Sequence, residues 1–343
     1  MIVLFVVVAA VLTSVGTQIM RKVALRFNIA DHPNERRINM QPVPRAGGLS
    51  VAVVFTLVGG ALILLAPQLQ ISPGSGTAQL TDQGAAALLG GTLIAGVIGF
   101  IDDRVDLRAR WQIVGQLLIS LIPIAFGLRI LFVSNPFGAG VLLFPDAVAL
   151  GVTIFWTLGM QNSMNFIDGL DGLSGGISLL AAVTLGLIAL PTSPLLAALC
   201  FTLAGALVGF LRHNFHPASI YMGTSGILAV AYALAVLAIL GTAKVAAALL
   251  ILGVPIIDAF FVILGRILAG RSPYTPDKSH IHRRLLDNGF SHRSAVLVLY
   301  GITALLSIGA LLLTESATLY AFAGLLVVLG GVAVYLSRRA EGL

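Results

Sequence analysis

Long apolar runs alternate with short polar breaks along the whole chain. The runs cover residues 1–20, 46–66, 84–101, 112–133, 147–161, 176–191, 195–211, 227–241, 243–268, 295–314 and 317–336. Their length and the absence of strand-like alternation predict membrane helices and exclude an outer-membrane barrel. The expected fold is therefore an all-α integral membrane protein, a single polytopic domain over 1–343 with about eleven transmembrane helices. Two breaks are short, Thr192-Ser193-Pro194 and Gly241-Thr242, and at either one the flanking runs could instead form one kinked helix.

Composition agrees with that reading. The 20 basic and 14 acidic residues make up 10% of the chain, where a soluble domain carries about 25%. Hydrophobic residues reach 58% and mean hydropathy is +1.01, too apolar for a water-soluble globule to cover its outside. Cys200 stands alone, which excludes an intrachain disulfide and a cysteine-based zinc cluster.

Net charge is +6, which in a soluble protein would suggest nucleic acid; here the placement of charge reports orientation, and no nucleic-acid partner is expected. The first run has no basic residue ahead of it and Arg21, Lys22 and Arg26 behind it, as in an anchor whose N-terminus lies outside. The loops near 21–45, 102–111, 162–175, 212–226 and 269–294, with the tail after 337, then share one side and hold 17 of the 20 basic residues. The positive-inside bias makes that side, and the C-terminus, cytoplasmic. Most acids gather there too, so the function is expected on the cytoplasmic face of a plasma membrane.

Four of these loops carry candidate chemistry. In Asp102-Asp103-Arg104-Val105-Asp106, acids at helical spacing repel one another unless a cation or a bound phosphate's basic partner offsets the charge; a solvated loop balancing its own arginines is the plainer alternative. Between Asn162 and Gly176, Asn162, Asn165, Asp168 and Asp171 recur every third residue. Oxygen donors at that spacing suit a hard cation such as Mg²⁺, and the interleaved glycines let backbone N–H groups approach an anion. A calcium loop would need a closing glutamate that is absent. The Arg212–Gly226 segment, with His213, Asn214 and His216, is weak evidence alone. The Pro273–Leu286 segment, followed by His292 and Arg293, joins His280 and His282 to Lys278, Arg283 and Arg284. Such a cationic patch fits phosphates, or, more simply, anionic lipid headgroups; two histidines alone make no zinc site.

Taken in order, these segments resemble the polyprenyl-phosphate N-acetylhexosamine-1-phosphate transferases of glycosyltransferase family 4. The likeness covers nearly the whole chain. It includes Asp31-His32-Pro33 with Arg36-Arg37, Arg45-Ala46-Gly47-Gly48, the D-D-x-x-D-L run at 102–107 and N-x-x-N-x-x-D-G-L-D-G-L at 162–173. It continues with Asn214, Pro217-Ala218, Met222-Gly223, Pro255 with Asp258, and His280-Ile281-His282. The H-I-H-R-R-L form resembles the bacterial branch that uses UDP-N-acetylglucosamine, which includes initiators of enterobacterial antigen, O-antigen lipopolysaccharide and teichoic acid.

The resemblance implies transfer of N-acetylglucosamine-1-phosphate from a UDP-N-acetylhexosamine to undecaprenyl phosphate, with UMP released and Mg²⁺, or Mn²⁺ in its place, as cofactor. It implies catalytic roles for Asp102, Asp103, Asp168, Asp171, His280 and His282, with the Asp102–Asp103 pair on the acceptor phosphate. Arg36, Arg45, Asn162, Asn214, Lys278, Arg283 and Arg284 are expected on substrates, and Asn165, Asp168 and position 224 on the metal. Membrane lipids are expected partners and a homodimer is left open. One departure is large: the family reads Met-Gly-Asp where this chain reads Met222-Gly223-Thr224, and a hydroxyl is a poorer ligand than a carboxylate for a hard dication. A catalytically degenerate lipid- or nucleotide-binding relative is therefore the first rival, and a transporter the second. Against the transporter, the charges sit at one face and only Asp258 lies deep in a run.

Overall fold

Each apolar run folds as helix. The computed structural model describes residues 1–31, 42–75, 79–135, 140–241, 244–270, 272 and 280–340. Among these, thirteen helices follow one another: α1 (Ile2–Arg26), α2 (Leu49–Leu65), α3 (Asp82–Val105), α4 (Ala109–Ala125), α5 (Asp146–Ile167), α6 (Leu173–Ala189), α7 (Pro194–Asn214), α8 (Gly223–Leu240), α9 (Lys244–Ile251), α10 (Gly253–Leu268), α11 (Ile281–Asp287), α12 (His292–Leu312) and α13 (Glu315–Ala340). Two small antiparallel pairs accompany them, β1 (Ala30–Asp31) with β2 (Val43–Pro44), and β3 (Phe132–Ser134) with β4 (Val141–Leu143).

At Thr192-Ser193-Pro194 the chain breaks, so α6 and α7 are separate helices; α8 ends at Leu240 and α9 begins at Lys244, and Thr242 of the second short turn lies outside the described residues. Pro194 opens α7 at a position that needs no backbone donor. Two runs depart from the expected pattern. The run at 112–133 stops being helical at Ala125, after Pro123, and its end turns into the β3–β4 hairpin. The run at 243–268 divides at Leu252, where α9 and α10 meet at 76°, next to Gly253 and Pro255.

Five helices, α1, α3, α7, α8 and α12, are long and apolar enough to cross a bilayer, and the bent α9–α10 pair makes a sixth if it counts as one span. This is a multi-pass membrane protein. The helices α2, α4 and α6 are shorter apolar elements of 17 residues each.

At the centre is α8, whose residues are almost all buried. Its lone ring hydroxyl, on Tyr232, donates to the Ala87 carbonyl of α3 at 2.8 Å, and its Ala235 carbonyl accepts from the Trp156 indole of α5 at 3.1 Å. Without water, such groups must find partners inside the bundle. Close backbone approach replaces side-chain interlock elsewhere: a Cβ on Gly205 or Gly209 of α7 would stand 2.4 or 2.1 Å from the Val6 or Ala10 carbonyl of α1. Small residues four apart are what such contact requires. The packing brings the C-terminal ends of α3, α5 and α7 and the N-terminal ends of α6 and α8 to one end of the bundle.

Candidate active site

A cavity of about 660 Å³ opens at that end, within the usual size of a small-molecule site. Its described lining joins segments far apart in sequence: Asn165 in the last turn of α5 with Asp168 and Asp171 in the turn before α6; Asn214 at the end of α7 with His216 and Tyr221 after it; Gly223 and Thr224 at the start of α8; Asp31 of β1 and Arg45 just after β2; and His280, His282, Arg283 and His292 around α11.

The repeat of three that begins at Asn162 divides. Asn162 turns away, donating to the Gln116 side chain of α4 at 3.0 Å and to the Leu158 carbonyl at 2.9 Å. Asn165, Asp168 and Asp171 face the cavity. Asn165 has no hydrogen-bond partner among the described residues. Asp168 accepts from the Ser174 hydroxyl. One oxygen of Asp171 takes the Nδ1 proton of His216 at 2.7 Å and the Ala218 N–H at 3.0 Å, and His216 stacks on His292 with ring centres 4.0 Å apart. Asn214 ties loops together, accepting from the Gly172 N–H at 3.1 Å and donating to the Ile220 carbonyl at 3.1 Å.

Burial pushes the Asp168 carboxyl up to about 6. The Ser174 hydrogen bond pulls it back, while repulsion from Asp103 and Asp171 adds to the rise and Arg45 opposes it. Near neutral pH the group therefore changes charge readily, and a bound cation would hold it ionised.

Asp102 and Asp103 lie behind Gly223 and Thr224 and are not among the described lining residues. Asp102 accepts from the Leu107 N–H at 3.0 Å, the Gln112 side chain at 3.1 Å and the Thr224 hydroxyl at 2.7 Å. Asp103 accepts the N–H groups of Thr224 and Ser225 at 2.8 and 3.0 Å, so a carboxylate of α3 caps the positive end of α8. Arg45 stands 3.9 Å from both Asp103 and Asp31. Gly223, at φ +71°, makes the cap fit: a Cβ there would come within 2.5 Å of an Asp103 oxygen.

His282 is 6% exposed and lies so close to Gly169, between Asp168 and Asp171, that a Cβ there would meet its Nε2 at 2.0 Å. Burial first, then neighbouring His280, lowers its pKa to about 4, with Asp258 opposing and Arg283 and His292 adding. It is a neutral ring at pH 7. His280 and Arg283 line the cavity beside it and Arg284 is not among the described lining residues. Arg36 and Lys278 lie outside the described residues.

Sequence reasoning did not select Asp31, His216, Tyr221 and His292 as site residues. His216 and His292 stood in segments already singled out, but nothing local shows that their rings meet over Asp171. Asp258, unpartnered in the sequence, contacts His280 at 2.8 Å.

The described donors fit Mg²⁺. Asn165 and Asp168 offer free oxygens at one wall of a cavity with room for waters, and Mg²⁺ is commonly held by one or two carboxylates plus substrate phosphate. The Thr224 hydroxyl has its proton committed to Asp102 and retains lone pairs only.

Residues 85–242 match the model of glycosyl transferase family 4. Over 316 residues the chain is 34% identical to a Bacillus subtilis (strain 168) protein named "Probable undecaprenyl-phosphate N-acetylglucosaminyl 1-phosphate transferase", covering 89% of this chain and 82% of that one. The decaprenyl-phosphate N-acetylglucosaminephosphotransferase of Mycolicibacterium smegmatis is 32% identical, over 88% and 79% of the two chains. A phospho-N-acetylmuramoyl-pentapeptide-transferase of Heliobacterium modesticaldum is 37% identical over 53% of this chain and 59% of its own.

Proposed function

This chain belongs to the polyprenyl-phosphate N-acetylhexosamine-1-phosphate transferases of glycosyl transferase family 4, a phosphoglycosyl transferase, and from that premise we propose its reaction in detail. A phosphate oxygen of undecaprenyl phosphate attacks the β-phosphorus of UDP-N-acetylglucosamine. The new P–O bond gives undecaprenyl diphosphate N-acetylglucosamine, and the bond to the α-phosphate oxygen breaks to release UMP. The product would start a cell-envelope polysaccharide.

The observation that carries this reading is the cavity wall. Asn165, Asp168 and Asp171 line one space together with Arg45, His280 and Arg283, so oxygen donors for a metal stand beside hydrogen-bond donors for phosphate. The acceptor's second pKa is near about 6, so at pH 7 it is already mostly a dianion and needs little help from a base. The harder task is to bring two anions together. Arg45 and Arg283 offset charge, and His280 and the neutral His282 can hydrogen-bond the diphosphate. Asn165 and Asp168 would hold Mg²⁺, with the Thr224 hydroxyl beside them, and when bound the ion would screen the phosphate charge. Asp102 and Asp103 support this wall from behind by fixing Gly223 and Thr224. We place the site on the cytoplasmic face, with eleven spans and the N-terminus outside, because the nucleotide sugar is a cytosolic solute and the basic loops gather there.

The test is incubation of purified protein with undecaprenyl phosphate, Mg²⁺ and a panel of UDP-sugars, measuring UMP and lipid-linked product together. We expect equal amounts of both with UDP-N-acetylglucosamine. UMP without lipid product would show hydrolysis instead of transfer, and neither product with any sugar would leave the degenerate binder as the better account.

A further inference from the structure

Asp258 is the acid that the hydrophobic pattern leaves deepest, where a lone carboxylate would be costly. It has partners. On α10, just past the 76° bend at Leu252, its Oδ1 accepts the Ile281 N–H at 2.8 Å and its Oδ2 meets His280 Nδ1 at 2.8 Å. The two side chains are 7% and 13% exposed. Phe166 and His282 hold the imidazole on other sides, with ring centres 5.4 and 5.6 Å away.

A carboxylate only accepts, so the 2.8 Å contact requires the proton on Nδ1. Nε2 is then the nitrogen left for the cavity that His280 lines. The same carboxylate also receives the first N–H of α11, and so sets where that helix begins and where His282 and Arg283 stand.

The geometry points to Asp258 as a positioning residue of the transfer reaction: it orients His280 with Nδ1 protonated and Nε2 presented to the donor's diphosphate. Carboxylates that orient metal-ligating imidazoles matter by 10- to 100-fold, and Asp258 makes the same kind of orienting hydrogen bond to His280. The inference rests on the reading above in assigning His280 to the diphosphate. It adds that Asp258 acts through His280, and not merely as a brace between α10 and α11.

Two measurements test it. In ¹⁵N-histidine-labelled wild type, with the His280 signals identified by their loss in His280→Gln, we expect a protonated Nδ1 and an unprotonated Nε2 at neutral pH without nucleotide. A ring protonated on Nε2 and bare at Nδ1 would overturn the proposal, and this measurement requires neither turnover nor a folded Asp258 variant. In the kinetic arm, Asp258→Asn keeps an acceptor for Ile281 but offers Nδ1 a donor, so turnover should fall about 100-fold in wild type. In the His280→Gln background the same change should cost less than about threefold. Equal losses in both backgrounds would show a brace. Wild type that makes no lipid product would defeat the proposed reaction, while the proton position would still decide for or against Asp258.

Discussion

Two groups of carboxylates and amides at one end of the bundle are treated oppositely. At the junction of α3 and α8, each oxygen of Asp102 and Asp103 receives at least one proton donor from the protein. At the end of α5 and in the turn before α6, Asn165 has no described partner, Asp168 has Ser174, and Asp171 spends one oxygen on His216 and Ala218. A buried carboxylate whose two oxygens each receive a donor ties together the helices that supply those donors. One with empty sites is destabilised until something else arrives. We therefore propose that the first group builds the site and the second is left for ligands.

The sharpest way to break this comparison is Asp103→Asn. The amide keeps one acceptor, turns a donor toward the N–H groups of α8 and removes the charge at that helix end. We expect a double loss: about 2 kcal/mol or more of stability, read from thermal unfolding in detergent, and turnover down about 100-fold as Thr224 and Gly223 shift. Unchanged stability would mean that the cap is incidental.

Asp168→Asn should separate what Asp103→Asn couples. Turnover should again fall about 100-fold or more, roughly 2.7 kcal/mol in the barrier, yet the fold should survive. The folded pKa of about 6 lies above the ordinary 3.8, so between those values the folded state holds more protons than the unfolded one. The stability this group contributes is full below about pH 3.8 and is lost as pH rises through about 6. At pH 7.5 without metal the amide should thus be about 1–2 kcal/mol more stable than wild type, since partial exposure reduces the full effect. Wild-type activity should fall on the acid side near pH 6, and added Mg²⁺ should move that limb lower by competing with the proton. An acid limb indifferent to Mg²⁺ would remove Asp168 from the metal.

How much of this could be read from the sequence follows from the range of each interaction. Hydrophobicity is a local property, so every apolar run emerges as helix, and Pro194 marks its own break. The division at Leu252 was hidden because it falls inside an unbroken apolar run, although Gly253 and Pro255 stand beside it. The seven-residue α11 was hidden in a charged loop with no apolar period long enough to show it. The three-residue spacing correctly grouped Asn165, Asp168 and Asp171 on one wall, but Asn162 is carried off by Gln116, 46 positions away. Likewise the filling of Asp103 by α8 and of Asp258 by His280 depends on contacts 121 and 22 residues apart. Residue type announced both acids, and only tertiary structure shows which donors they meet.

Thr224 joins the two regions and gives the smallest, most specific prediction. Its hydroxyl fills an Asp102 oxygen at 2.7 Å, which assigns it to the satisfied group, and it also lines the cavity. Thr224→Asp would replace that donor with a second carboxylate facing the first. Without divalent cation the variant should be destabilised by about 1–2 kcal/mol, because one hydrogen bond is lost and two like charges meet. A cation shared with Asp168 and Asn165 would relieve the repulsion, so Mg²⁺ should raise the variant's melting temperature more than that of wild type. The Mg²⁺ concentration for half-maximal activity should fall a few-fold. If Mg²⁺ left the variant's melting temperature unchanged, residue 224 would lie out of reach of the metal, and its threonine would serve only to hold Asp102. If the variant gained activity that wild type lacks, the hydroxyl would be the lesion of a degenerate binder. A wild type that turns over with a weak Mg²⁺ requirement, sharpened by the carboxylate, is the outcome we expect.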